Sequence, residues 1–498
     1  MKQVTILSFI LVSSVLFSCT KLEEEFRGEI EQNNSSTVTA ADLLKSAYSS
    51  LDAAFSDPGQ LFASGEHTSD AALGPTRGPD WDDNGVWRAM HLHTWNADNS
   101  ILRGIYTNLL NAQFAASNVL QFNPSAQQAA EARYIRALTM FMAMDGWDQV
   151  PYREDLSDYS VLPTTLTGTA VVDFVIAELN EILGQLPDGP ASTANKNAAR
   201  VLMMKCYLNK GAFANRAAPT FDNGDMNSVI SLADAVTGYA LNDNYFDNFG
   251  PDNTDLSTEN IYTLFNQNGI RGFGAQHRWY MVLHYNQRPS GWNGFATLSD
   301  FYDKFEDADE RRGGDYEGTT DVSGLKVGFL YGQQYDQNGV ALKDRKGAPL
   351  FFTREVAIKE SGTNLEVTGI RVIKYPADYA HEFPSDNDMV IFRYPDVLLM
   401  KAEALLRTGD AAGALTIVNN LRTQRGASAF ASVDLAKLLD ERGRELYWEG
   451  WRRQDLIRFG KYLEPWQEKP TDDPKNLLFP IPSNQLAVNS NLVQNPGY

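Results

Sequence analysis

The chain has 498 residues, 43% of them apolar and 11% aromatic, enough to bury a large core in one big domain or two intimate ones. Its 63 acidic against 43 basic side chains give a net charge of −20 at pH 7, which repels nucleic acid and anionic lipid and favours a neutral ligand. Beyond the N-terminal apolar run, no segment is long and apolar enough to span a bilayer as a helix.

In chain order, Lys2 and the uncharged run Val4 to Phe17, 14 residues long, have the shape of a cleaved signal peptide over 1–18. Leu16-Phe17-Ser18-Cys19 resembles a lipobox, which makes Cys19 the expected lipid attachment site. Two or more acyl chains there would tether the protein stably, where one would hold it only marginally. Lys21-Leu22-Glu23-Glu24-Glu25 looks like the acidic signal that sends lipoproteins to the outer face, inside a linker over 19–36. The other cysteine, Cys206, lies in an apolar setting and reads as a buried free thiol.

Residues 37–498 read as a single domain. Asp80-Trp81-Asp82-Asp83-Asn84-Gly85 reproduces the first half of an EF-hand loop, with Asp80, Asp82 and Asn84 as weak calcium candidates. The closing glutamate is missing, because His91 stands there; no other cofactor is expected. His91 and His93 alternate as on a strand, with no clear third zinc ligand besides distant His67.

Apolar residues at helical spacing predict helices over Ile101 to Phe122 and Ala126 to Met144, then Val171 to Leu186 and Asn197 to Lys210. A third pair runs Asp396 to Arg407 and Ala411 to Arg425, where Ala402, Ala404, Ala411 and Ala414 suit close packing like that of a tetratricopeptide repeat. Helical scaffold is therefore expected over about 40–250 and 390–465, followed by a C-terminal tail. Between Gly250 and Val390, Gly, Asn, Asp and aromatic residues predict a loop-rich, minor-β region laid on that frame, with a strand at Val367 to Lys374 and a short helix at Leu298 to Phe305. Glu306, Asp307 and Asp309 beside Arg311 and Arg312 read as a solvated surface cluster.

Arg393-Tyr394-Pro395-Asp396-Val397-Leu398-Leu399-Met400-Lys401-Ala402-Glu403-Ala404 resembles the helix motif of the SusD/RagB family of outer-membrane nutrient-binding lipoproteins of Bacteroidetes. The segment from Arg444-Glu445-Leu446-Tyr447-Trp448-Glu449-Gly450-Trp451 to Phe459-Gly460 resembles the family signature, and Phe479-Pro480-Ile481-Pro482 with Gln494-Asn495-Pro496-Gly497-Tyr498 resembles its ending. Upstream, Glu131 to Ala137, Gly146-Trp147 and Val150-Pro151-Tyr152 are similar to its first helical hairpin. The resemblance implies a mainly α fold of degenerate tetratricopeptide pairs, a nutrient ligand and a TonB-dependent transporter of the SusC type as partner. Read as a helix, the signature lets Glu449 attract Arg453 four residues on, makes Arg452, Asp455 and Arg458 structural ion-pair partners, and places Trp448 and Trp451 in the core.

Aromatic residues in loops are the expected binding surface, because the C–H faces of sugars stack on such rings while hydroxyls take hydrogen bonds from amides and carboxylates. The candidates are Trp81, Trp95, Asn96, Trp279, Tyr280, Tyr285, Trp292 and Asn293. Nucleophile, Walker and zinc-protease motifs are absent and no pair of carboxylates stands out, so capture of a glycan without catalysis is expected. The alternative is a peptide- or protein-binding uptake lipoprotein of the RagB kind, with a polar groove for an extended chain.

Overall fold

The computed structural model describes residues 38–498 apart from 154, 155, 159 and 273. The leader, Cys19 and the acidic linker lie outside the described residues. Helices pack against one another in chain order: α1 (Ala40–Phe55) on α3 (Ser100–Val119), α3 on α4 (Ala126–Trp147), then α5 (Thr169–Ile182), α6 (Lys196–Ala214) and α7 (Asn223–Ala235), with α2 (Val86–Leu92) set apart as a short helix. α8 (Tyr394–Thr408) returns to α7 after the loop-rich region and carries α9 (Ala411–Gln424) and α10 (Leu435–Leu446). α11 (Arg452–Arg458) follows α10. Neighbour-to-neighbour packing of antiparallel helices is the tetratricopeptide-like scaffold expected.

Local chemistry sets the helix ends. Before α4, Ser125 Oγ accepts from Gln128 N–H at 3.2 Å and Gln128 Oε1 accepts from Ser125 N–H at 2.9 Å, a reciprocal cap. Asn99, Asn195, Asp410 and Asp434 cap α3, α6, α9 and α10 through their side chains. The predicted α3 to α6 and α8 to α9 are all present with ends shifted by a few residues. α1 and α7, unassigned from periodicity, complete the row. Ala402 and Ala414 are buried at the α8/α9 contact, Ala404 is buried in the main core, and Ala411 is exposed.

The 250–390 region is made of short elements. β3 (Asn260–Leu264, counting β1 as Gln149–Tyr152 and β2 as Thr164–Thr167) pairs antiparallel with Met389–Arg393, and Gly328–Leu330 pairs with Arg371–Ile373. The expected strand at 367–374 shortens to Arg371–Ile373, and the expected helix at 298–305 to the single turn Ser299–Tyr302.

The signature segment is not one helix. α10 ends at Leu446, Trp448 and Gly450 take left-handed backbone conformations at φ 60° and 90°, and α11 begins at Arg452. The break removes the expected Glu449–Arg453 pair: Glu449 binds Arg393 Nη2 and Lys374 Nζ, each at 2.7 Å, while Arg453 faces Asp145 at 3.4 Å. Trp448 and Trp451 are core residues, and Arg452 (to Asp70), Asp455 (to Arg442) and Arg458 (to Glu403) form structural ion pairs at 2.7–2.8 Å.

Around this break lies a buried charge lattice that joins scaffold to loop region. Glu445 holds Arg393 at 2.6 Å, Arg425 at 3.1 Å and Arg311 at 3.1 Å; Glu259 holds Arg393 and Arg425; Glu441 holds Arg311 and Arg422. Burial alone would raise the Glu445 carboxyl, but Arg425, Arg393 and Arg311 outweigh it and hold it well below the usual range. The expected solvated cluster is divided by this lattice: Asp309 and Arg311 are fully buried partners at 2.7 Å, Glu306 reaches Arg422, and only Asp307 with Arg312 stays outside.

Candidate functional site

Among the exposed rings of the loop region, which include the contacting pair Tyr331 and Phe351, a row forms around Trp292. A single turn, His277–Tyr280, leads into a segment that folds back on itself: Trp292 N–H donates to Tyr280 O at 2.6 Å, Asn293 N–H to Leu283 O at 2.8 Å and Gly294 N–H to Met281 O at 2.9 Å. Trp279 anchors this segment inward, fully buried, and Asn293 Oδ1 accepts from Arg371 Nη2 at 3.0 Å. Half-buried Trp81 braces it from below, its Nε1 donating to Trp292 O at 2.9 Å. A Cβ at Gly294 would stand 2.4 Å from the Trp81 ring, so glycine is required for that approach.

The consequence is an outward row. Trp292, 43% exposed, stacks on Tyr280 with centroids 5.8 Å apart and planes at 20°. His277 lies 5.4 Å from Trp292, and Phe383, 71% exposed on the 378–386 loop, lies 6.3 Å from His277. Burial pushes the His277 imidazole below its ordinary value, and its Nδ1 has no partner. Glu382 takes the Tyr280 hydroxyl in a hydrogen bond; burial first, then this carboxylate, raise that phenol. Asn286 and Arg288 are exposed on the same returning segment. The arrangement offers flat apolar faces with a carboxylate and an imidazole beside them, in a chain of net negative charge.

Beside this row, Tyr285 is held more tightly. Its hydroxyl donates to Asp80 Oδ2 at 3.1 Å, and Arg345 lies 3.9 Å over its ring while binding Glu366 at 2.7 Å.

Several expected site residues take other roles. Trp95 is buried, donating to Tyr498 Oη at 2.6 Å and packing on His93 and Phe479; Trp279 and Asn293 are buried as above. Those three cannot meet a ligand at the surface. Asn96 is exposed and closes its own turn, Oδ1 accepting from Asp98 N–H at 2.9 Å. In the loop expected to suit calcium, Asp82 Oδ1 binds Arg88 at 2.5 Å and Asp80 Oδ2 accepts from the Tyr285 hydroxyl, so one oxygen of each carboxylate has a protein partner. His91 and His93 belong to α2 and its C-cap, not to a strand; His93 bonds Asp472 at 2.7 Å and burial pushes His91 down to about 4. Among the described residues, the His and carboxylate group close enough to share an ion is Asp378, His381 and Asp386, where His381 Nδ1 already bonds Asp386 at 2.8 Å.

His277, Phe383 and Glu382 were not expected. The available signal was composition: His381-Glu382-Phe383-Pro384 mixes ring and polar residues in a loop, but nothing local places it against residues a hundred positions earlier.

The model of the SusD family matches residues 241–472, a segment containing the whole ring row and the signature. The starch-binding protein SusD of Bacteroides thetaiotaomicron is 26% identical over 75% of this chain and 73% of its own length. Over residues 241–472, just under half of its length, the chain resembles the SusD family. A SusD-like protein of Formosa agariphila is 24% identical over 80% of this chain and 79% of its own. Among solved SusD-like structures, a laminarin-binding protein superposes with a TM-score of 0.71 at 21% identity, covering 92% of this chain and 99% of its own. Surface glycan-binding protein A of Bacteroides thetaiotaomicron, in complex with laminarihexaose, gives 0.65 at 18% identity, covering 92% and 98%. At these identities the structures establish the shared SusD fold.

Proposed function

We propose that this protein is a SusD-family cell-surface lipoprotein that captures a neutral glycan on the Tyr280–Trp292–His277–Phe383 row and passes it to a SusC-like TonB-dependent transporter. The observation that carries the reading is the contiguous ring row, with Trp292 stacked on Tyr280, Trp292 and Phe383 exposed, and a carboxylate at its edge. Flat rings bury the C–H faces of a pyranose, and the Glu382 carboxylate at the Tyr280 edge can accept from its hydroxyls. Relatives named for binding starch and laminarin support a glucan-like ligand. Cys19 after its leader supports anchoring at the outer membrane, and among the described residues no helix is long and apolar enough to cross a membrane.

Capture without chemistry fits the carboxylates. Glu259, Glu441, Glu445 and Glu449 are buried and each is bound by guanidinium or ammonium groups, so they serve cohesion and are closed to a glycosidic bond.

Affinity electrophoresis of the soluble form beginning after Cys19, through gels containing neutral plant and microbial polysaccharides, tests this directly. Retardation by a glucan without loss of substrate on prolonged incubation is expected. Folded protein that runs unretarded in every gel but binds peptides would replace the glycan reading with the peptide one.

A further inference from the structure

Beneath the ring row, the same short turn sends Arg278 inward, where it is 5% exposed. Its Nη2 donates to Phe55 O at 3.0 Å and touches Met389 Sδ at 3.9 Å, and its guanidinium lies 4.4 Å over the Phe62 ring. Nε and Nη1 have no acceptor. The contrast is with the buried charge lattice, where Arg311, Arg393 and Arg425 each hold at least two carboxylates; buried Arg77 and Arg371 also lack a carboxylate but are held by several carbonyl oxygens each. Tyr375, Asp57 and Glu66 act on the Arg278 charge from a distance, yet burial prevails and lowers it to about 10, still a cation at neutral pH.

Arg278 lines a cavity of about 30 Å³ walled by Phe55, Phe62, Met142, Tyr375 and Trp448. That volume holds about two waters, at roughly 10–15 Å³ each, or one small anion. Glu449, also on the wall, is already taken by Arg393 and Lys374. Water would satisfy the two free N–H groups but leave a cation among apolar walls, which is costly; an anion satisfies both.

We propose that this cavity is a binding site for a small monovalent anion of halide size, held by Arg278 Nε and Nη1. Its position ties the base of the ring row to α1 through Phe55 and to the broken signature segment through Trp448. Occupancy therefore steadies the seam between loop region and scaffold.

The test uses the mature soluble protein. Crystals grown or soaked in sodium bromide should give an anomalous peak within hydrogen-bonding distance of Arg278 Nε and Nη1. Thermal unfolding at constant ionic strength should show a saturable rise in Tm as bromide or chloride replaces gluconate, a rise that Arg278→Gln lacks. Water density without anomalous signal overturns the proposal. So does a peak with no saturable Tm rise, which would be an adventitious ion only, or an equal rise in Arg278→Gln. Should that variant fail to fold, the peak and the saturable rise in the unaltered protein decide the matter together.

Discussion

Trp292→Ala separates binding from folding, because the two tryptophans of the returning segment have opposite exposures: Trp292 is 43% exposed and Trp279 fully buried. A tryptophan side chain presents up to about 250 Å², so about 110 Å² of Trp292 meets solvent. A sugar face covering half of that removes about 50 Å² from water, worth about 1.3 kcal/mol at ~25 cal/mol per Å², or roughly tenfold in Kd. Titration calorimetry with the retarding glycan should therefore give a Kd about tenfold weaker for Trp292→Ala with an unchanged Tm. Trp279→Ala, emptying a core position, should instead lose about 3–5 kcal/mol of stability. A Trp292→Ala protein that binds as tightly as the parent refutes the ring row as the site. A Trp279→Ala protein with unchanged Tm refutes the burial on which the contrast rests.

Other outcomes follow from the core. Glu445→Ala strips a shared partner from Arg393, Arg425 and Arg311, and urea denaturation should register a loss of about 3–5 kcal/mol. Gly65→Ala would place a Cβ 2.2 Å from the Gly450 carbonyl oxygen, so the signature loop must move; a stability loss of about 1–3 kcal/mol is expected in the same assay. Burial lifts Glu66 to about 7 from an ordinary 4.5, so between those pH values the native state keeps a proton the unfolded chain releases, and stability falls as pH rises. Glu66→Gln removes that slope: its Tm relative to the parent should climb from pH 4.5 to 7, and a constant difference would contradict the burial. At the acid end, burial raises Glu441 but Arg311, Arg444 and Arg422 outweigh it and lower it to about 2, so its contribution is present above the unfolded value and disappears as pH falls toward 2, measurable as a falling Tm that Glu441→Gln flattens.

The helical frame was legible because its determinants are local. Apolar period, the Ser125–Gln128 cap and the small residues of α8 and α9 act within a few positions of one another, and the elements appear where those signals lie. α1 and α7 lie inside the helical span expected over about 40–250 without being delimited as separate helices, although the buried stripe of α1, Ala40, Leu44, Ala47, Leu51 and Phe55, follows the same local period. The signature residues were legible as cohesion, through Arg452, Asp455 and Arg458, but not as two helices, since the break at Trp448 and Gly450 is held by contacts to Gly65 and Glu66 nearly four hundred residues away.

The sequence by itself determined a helical scaffold and a loop region rich in rings. Which rings face solvent was decided only by tertiary structure. Trp95 and Trp292 are each followed by an asparagine, yet Trp95 is buried against Tyr498 and Phe479 while Trp292 is 43% exposed. Exposure belongs to pairs of surfaces, and Phe383 joins His277 because the chain returns to that place, not because of anything written beside either residue.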